Sequence, residues 1–397
     1  ARNFSLEPGT EWQVRRGRSG RGEREPEGAL MLLRTGLLQG VAVDAERRVA
    51  RVAAGTTAAA LSAAAAEHGL AANVGMAAGV GVVGSLLGGG LGWLSRRLGL
   101  GAADVLAVEL VTADGGLVRV QAGEADDLLW ALRGGGIPLG VVVALEVRLH
   151  PAPTVHAGAL FWPVERGAEV LRAWRDWCDG VPDDVTSVGR LLWVPAFPEI
   201  PAPLRGRAFV VVEAACLLDD GRASGVLAPL RALGPEIDTF ARIPAPALAA
   251  LHMDPPEPVP AVLDHLLLDE LTDEAIDAVV AVAGPPVISL ELRQLGGALR
   301  TPTGADGAQC GLDGAFLANA VAILPGPEAA GVARQAIGRV TGALGPWDTG
   351  RRFTNFVDRP GSTAPTLATE TAVRLRAVRA AWDPTGLFVS AHAPARD

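Results

Sequence analysis

Apolar and polar residues alternate along this chain in short blocks, not in one long periodic run. Residues 29–52 hold two such blocks, and the apolar runs at 41–43 and 49–52 flank Asp44, Ala45 and Glu46, which predicts a β-hairpin. An alanine-rich stretch then predicts a helix over 57–68, with Thr56 or Thr57 able to cap its start and Gly69 able to end it. Residues 104–122 read as a strand, a turn at Asp114-Gly115-Gly116 and a second strand. A short amphipathic helix follows over 126–133, closed by Gly134, Gly135 and Gly136, and then a strand over 140–151 that Pro151 stops.

The composition shifts near Pro151. Beyond it the pattern predicts strands near 156–163, 187–194 and 208–217, and helices near 168–177, 222–233 and 273–283. Residues 287–295 alternate cleanly, with Ile288, Leu290 and Leu292 on one face and Ser289, Glu291 and Arg293 on the other. A strand over 316–324, a helix over 327–344 and a helix over 366–382 complete the pass. Strands and helices mixed without a regular βαβ repeat point to an α+β fold.

Composition narrows the chemistry. Apolar residues at 49% against 20% charged residues fit a folded globular chain rather than a disordered one. The formal net charge of −9 argues against nucleic acid as a partner. There is no lysine and no tyrosine, so a Schiff base, a phosphate-binding lysine and a phenol acid or base are all excluded. Cys178, Cys216 and Cys310 stand far apart, and the six histidines show no paired spacing, so no metal site is expected. The isolated cysteines fit buried thiols in a cytoplasmic protein. The first ten residues carry charge and no apolar core, which predicts no secretory signal. Residues 69–95 are uncharged and long enough to span a membrane. Their glycines, each costing about 1 kcal/mol in a helix, argue for a buried loop and for no membrane partner.

That stretch contains a literal GxGxxG at Gly79, Gly81 and Gly84, with Asp104 at the distance of a ribose-binding acid. The required context is missing. A helix, not a strand, precedes it, and Gly88-Gly89-Gly90 would break the helix that must follow. Two readings remain from the residues alone: glycines that make tight turns, or a loop of another kind that lets backbone N–H groups approach a phosphate or flavin.

Four segments, taken in order, resemble the berberine bridge enzyme-like branch of the vanillyl-alcohol oxidase, or PCMH-type, FAD-linked oxidases. They are AAGVGVVGSLLGGGLGWLSRRLGLGAADVLAVELVTADG (77–115), DLLWALRGGGIPLGVVVALEVRLHP (127–151), LELRQLGGAL (290–299) and RRFTNFVDRPG through LRAVRAAWDPTGLF (351–388). The resemblance implies an FAD-binding domain built from residues 1–150 and 346–397. A middle substrate domain over 151–345 would carry an antiparallel sheet flanked by helices. It also implies that Gly79, Gly81, Gly84, Gly88, Gly89 and Gly90 line the cofactor. Gly140 and Val141 would contact its adenine side, and Asn355 would stand beside the flavin on a C-terminal strand.

The departures are specific. Family members begin with a further βαβ unit, whereas about eleven residues precede Trp12 here, so the FAD domain is expected to be truncated. The family's attachment histidine is replaced in RSGRG (18–22), where Gly20 and Arg21 stand; a guanidinium can pair with a phosphate but cannot link to flavin. No cysteine lies between residues 77 and 90, and Phe353 replaces the family's C-terminal tyrosine. FAD is therefore expected to bind without a covalent bond.

Glu291 and Arg293 carry two readings: a general base with an orienting cation at the flavin, or an ion pair on an exposed sheet face worth about 0–1 kcal/mol. Phe353, Trp93 and Trp130 read as core. Trp162 and Trp193 could wall a substrate site, and His392 alone among the histidines could approach the flavin groove. The expected function is an FAD-dependent oxidase. It would move hydride from an alcohol, sugar or amine C–H to flavin N5, with O2 as the reoxidant and Glu291 and Asn355 in the site. The alternative is a family member without flavin chemistry that acts as a binding protein. The substrate and the oligomeric state are not legible.

Overall fold

The structure is a computed structural model that describes residue 31 and residues 33–255, 259–301, 306–357 and 365–389. Gly20, Arg21 and His392 lie outside the described residues.

The first sheet is built from β1 (Val41–Asp44), β2 (Val49–Ala53), β3 (Leu70–Ala72), β4 (Val105–Val111), β5 (Leu117–Gln121) and β6 (Val141–Pro151). It runs in the order β1-β2-β6-β4-β5, with β3 paired to the far end of β6, and every pair is antiparallel. Helices α1 (Ala58–Ala66), α2 (Val82–Leu87), α3 (Ser95–Leu98) and α4 (Asp126–Leu132) belong to this part of the chain. Thr57 starts α1 by accepting from the Ala60 N–H at 3.3 Å, and Gly69, at φ +69°, follows its end.

The second sheet contains β7 (Thr154–Pro163), β8 (Val185–Trp193), β9 (Ala208–Cys216), β10 (Ile237–Asp238), β11 (Ala241–Pro244), β12 (Ala261–Leu268), β13 (Ser289–Gln294) and β14 (Phe316–Ile323). Its order is β10-β7-β9-β8-β13-β14-β12, with β11 also on β7 and all pairs antiparallel. Helices α5 (Gly167–Cys178), α6 (Asp220–Arg231), α7 (Asp273–Val282) and α8 (Ala330–Leu344) cover one of its faces. Their Val170, Leu171, Leu227, Ile276 and Ile337 share one core with Leu290 and Leu292 of β13. The last helix, α9 (Thr369–Trp382), returns to the first sheet, where Leu375 and Val378 join the core of Leu61, Leu86, Leu128 and Leu145.

This α+β arrangement agrees with the fold class read from the sequence, and its antiparallel first sheet excludes the Rossmann reading of Gly79–Gly84. Most strand and helix positions agree to within a few residues. Strand β12 has no counterpart in the sequence reading. Asp264 and His265 interrupt its apolar run, and a proline-rich stretch precedes it. Both faces of β13 are buried, which overturns the exposed-face reading of Glu291 and Arg293: they are 4% and 7% exposed. Trp162 is fully buried in the helix-side core, and Trp193 packs against the same core, so neither walls a site. Among the described residues no helix is long and apolar enough to cross a membrane.

Candidate active site

The second sheet meets the first layer through two apolar cores. In one, Met76, Trp93 and Leu94 pack against Val155, Ala157, Val188 and Ala215. In the other, Leu91 and Leu100 pack against Leu267, Leu295, Leu317 and Phe353. Between them runs a polar row. His265 on β12 pairs in register with Asn319 on β14, Asn319 with Glu291 on β13, and Glu291 with Arg190 on β8. Residues in register across antiparallel strands share a face, so four polar side chains stand side by side on the surface that meets the glycine-rich stretch.

The row's charges are tightly paired. Arg293 donates to Glu291 Oε2 through Nε at 3.0 Å and Nη2 at 2.7 Å, and Asn319 Nδ2 donates to the same oxygen at 3.2 Å. His252 Nε2 lies 3.1 Å from Glu291 Oε1, while its Nδ1 is 2.5 Å from Glu213 Oε2. Arg190 approaches Glu213 at 3.3 Å and donates to Ser289 Oγ at 2.7 Å. Glu213 and His252 are no more than 1% exposed. Burial alone would raise the Glu291 carboxyl, but Arg293 and His252 outweigh it and hold Glu291 well below the usual carboxylate range. Glu213 is held low in the same way by His252 and Arg190. Burial lowers His252, yet Glu213 and Glu291 on either side win and raise it.

Arg293 also crosses between layers. Its Nη1 reaches Met76 Sδ at 2.7 Å, and its guanidinium lies 5.1 Å from the Phe356 ring centroid. Thioether sulfur is a weak acceptor, so this N–H points at the weakest partner in the cluster.

The C-terminal FTN sequence docks on both glycine clusters. A Cβ on Gly89 would stand 2.6 Å from the Phe353 ring, and one on Gly136 would stand 2.7 Å from Thr354 Cγ2. A Cβ on Gly88 would collide with the Asn355 amide. Each of three consecutive side chains thus occupies space that a glycine leaves free. On the opposite side the Phe353 N–H donates to His265 Nε2 at 2.8 Å. The turn, a 3-10 segment over Thr354–Phe356, therefore ties the glycine run to β12.

Several expected residues stand differently from their sequence reading. Asn355 lies in this turn, not on a strand, and its side chain accepts the Gly90 N–H at 2.8 Å. Gly88, Gly89 and Gly90 are buried against protein. Gly79, Gly81 and Gly84 are exposed, with no atom within 4 Å of where a Cβ would be. Gly140 leaves room for Leu110 and the Val111 carbonyl at the start of β6, and Val141 is half-buried beside it. Phe353 is fully buried, as expected of core, and all three cysteines are buried free thiols. His252 and His265 were not singled out by sequence. Neither belongs to a spacing motif, and only the fold brings them to the row. Among the described residues no cluster of His, Cys, Asp or Glu could hold a metal ion.

The geometry fits an FAD. The open Gly79–Gly84 stretch lets backbone N–H groups approach a ligand directly. On the second sheet, His265 Nδ1 and Asn319 Oδ1 are buried and have no hydrogen-bond partner among the described residues.

Comparison with known proteins agrees. Residues 3–121 match the FAD binding domain family. A stretch of 102 residues is 36% identical to an uncharacterized FAD-linked oxidoreductase, YvdP, of Bacillus subtilis, covering 25% of this chain and 23% of that protein. Another of 80 residues is 39% identical to (R)-6-hydroxynicotine oxidase of Paenarthrobacter nicotinovorans, covering 20% and 18%. The matched stretches thus span about a quarter or less of these relatives. The fold match is far longer: berberine bridge enzyme of Eschscholzia californica superposes with a TM-score of 0.78 at 19% identity, over 93% of this chain and 81% of that one. The 6-hydroxy-D-nicotine oxidase of Arthrobacter nicotinovorans does so at 0.75 and 24%, over 89% and 79%. The chain carries an FAD binding domain in a PCMH-type α+β fold. Within that class its fold is that of the berberine bridge enzyme-like proteins, as the four sequence segments imply.

Proposed function

We propose that this chain is an FAD-dependent oxidoreductase acting on a small molecule bound between the glycine-rich stretch and the polar row of the second sheet. The observation that carries this reading is the buried polar row His265–Asn319–Glu291–Arg190 on the sheet face that packs against the glycine-rich stretch. In this reading residues 1–150 and 346–397 form the FAD domain and 151–345 the substrate domain. Gly79, Gly81 and Gly84 hold the cofactor through backbone groups, with Gly20 and Arg21 as further ligands. When bound, FAD supplies the acceptor for hydride from an alcohol, sugar or amine C–H and passes the electrons to O2.

The chain's own residues exclude water and hold charge. The two apolar cores seal the row on either side. Glu291 is ionised, the form a proton acceptor needs, but with its carboxyl held so low it is a weak base. Its stronger contribution is to fix Arg293 across the layer gap. Asn355 acts by holding the Gly88–Gly90 backbone in place.

Purified protein is expected to be yellow, and acid precipitation is expected to leave the flavin in the supernatant because no covalent bond holds it. Colour that stays with the precipitate would overturn non-covalent binding. Colourless protein that fails to take up added FAD would favour the alternative, a binding protein without flavin chemistry.

A further inference from the structure

Two buried polar atoms on neighbouring strands have no hydrogen-bond partner among the described residues: His265 Nδ1 and Asn319 Oδ1. Their residues are 1% and 4% exposed and are register partners on β12 and β14. The hydrogen-bonding sense of each is fixed by its other contact. The Phe353 N–H can only donate, so His265 Nε2 must accept, and the neutral ring carries its proton on Nδ1. A carboxylate paired with Arg293 can only accept, so Asn319 turns its amide Nδ2 toward Glu291 and its carbonyl Oδ1 away. The result is one free donor beside one free acceptor. Buried polar atoms in native proteins find partners with few exceptions, because an unpaired one loses its water without compensation.

We propose that His265 Nδ1–H and Asn319 Oδ1 form a ligand-reading pair, which binds a chemical edge that accepts one hydrogen bond and donates another. Two ligand groups share that chemistry: an imide-like edge with C=O beside N–H, as on the pyrimidine ring of a flavin, and a substrate hydroxyl. This inference rests on the oxidoreductase reading and adds residues to the same site. Burial and the nearby Arg352 outweigh the Phe356 backbone, which lies close to the ring and acts the other way, and push His265 down to about 3, so the ring stays neutral and Nδ1 protonated across the physiological range.

The test begins with nitrogen-15 NMR of the histidines in the full chain. FAD is added first, and benzyl alcohol is then added to the FAD-loaded protein. The pair is supported when the His265 Nδ1–H signal shifts with one of these ligands and His265→Gln weakens that same ligand about tenfold, as loss of one buried hydrogen bond does. Glutamine retains the acceptor for the Phe353 N–H but lacks the Nδ1 donor. His265→Asn, whose amide can replace that donor, is expected to lose less. A shift with FAD that is absent with N3-methylated flavin assigns the imide edge; a shift only with the alcohol assigns the substrate. A signal insensitive to both ligands, or His265→Gln protein that binds both as tightly as wild type, overturns the proposal and means that the two side chains satisfy each other. Wild-type protein that takes up no FAD overturns the oxidoreductase reading separately, and the pair is then judged on benzyl alcohol alone.

Discussion

Asn355 Oδ1 accepts the Gly90 N–H at 2.8 Å, joining two positions that are 265 residues apart. The same turn sets Phe353 into the space over Gly89, whose φ of +120° already disfavours any side chain. Asn355→Ala leaves a buried N–H without an acceptor and is expected to cost about 1–3 kcal/mol in urea unfolding. Gly89→Ala combines backbone strain with overpacking against Phe353, and about 1–3 kcal/mol is expected from the overpacking alone. Unchanged unfolding midpoints in both variants would show that the turn is not docked as described.

Gly84 provides the contrast. It lies within α2, is exposed, and has open space where a Cβ would go. Gly84→Ala is expected to fold as well as wild type or gain about 0.5–1 kcal/mol from helix propensity. Its FAD affinity is expected to fall, because the added methyl fills the approach to the backbone. Titration of the FAD-free protein with FAD separates the two effects. A variant both as stable and as tight-binding as wild type would remove Gly84 from the cofactor surface.

The fold was legible where the pattern is local. The hairpin, the alanine-rich helix capped by Thr57 and the clean alternation around Glu291 all rest on short-range spacing. The site was legible only in part, because it is assembled from side chains far apart in sequence. Glu291, Arg293 and Asn355 stood out, the first two through strand alternation and Asn355 through the family resemblance. Glu213, His252, His265 and Asn319 did not: each is a lone polar residue in an apolar neighbourhood and becomes informative only when register sets it beside Glu291. The glycine clusters carry a packing role that the sequence did not show. Gly88 and Gly89 read as cofactor contacts, and their missing side chains also make room for Asn355 and Phe353.

The Glu291–Arg293 pair is buried on both sides, with side-chain exposures of 5% and 8%. Removing one partner strands the other's charge. Arg293→Met and Glu291→Gln are each expected to cost about 3–5 kcal/mol, and the double variant less than their sum. Urea unfolding of the four proteins gives the coupling directly. Additive losses would mean that the two charges are balanced by other neighbours.

Cysteine reactivity checks burial independently. Burial pushes the Cys216 thiol up to about 12 and Cys310 up to about 11, and it raises Cys178 as well. Thiolate is the reactive form. A disulfide reagent at pH 8 is therefore expected to label none of the three in native protein and all three in denaturant. Rapid labelling of native protein would show that at least one thiol is accessible.

Two histidines give stability opposite pH slopes. His252, between Glu213 and Glu291, is raised in the folded state. Its contribution is full below about 6.5, the unfolded value, and is lost as pH rises through the higher folded value. His265 is pushed down to about 3. The unfolded chain therefore takes up this proton at a higher pH than the folded one, and stability falls as pH drops below about 6.5. Glu291 and Glu213, both held low, add a further loss once pH falls below about 4.3. Unfolding midpoints measured from pH 4 to 9 are thus expected to peak near pH 6.5. His252→Gln should flatten the alkaline side only, and His265→Gln should reduce the slope from pH 6.5 down to pH 4. A wild-type profile that is level from pH 5 to 9 would mean that neither histidine is held in the charge state this packing dictates.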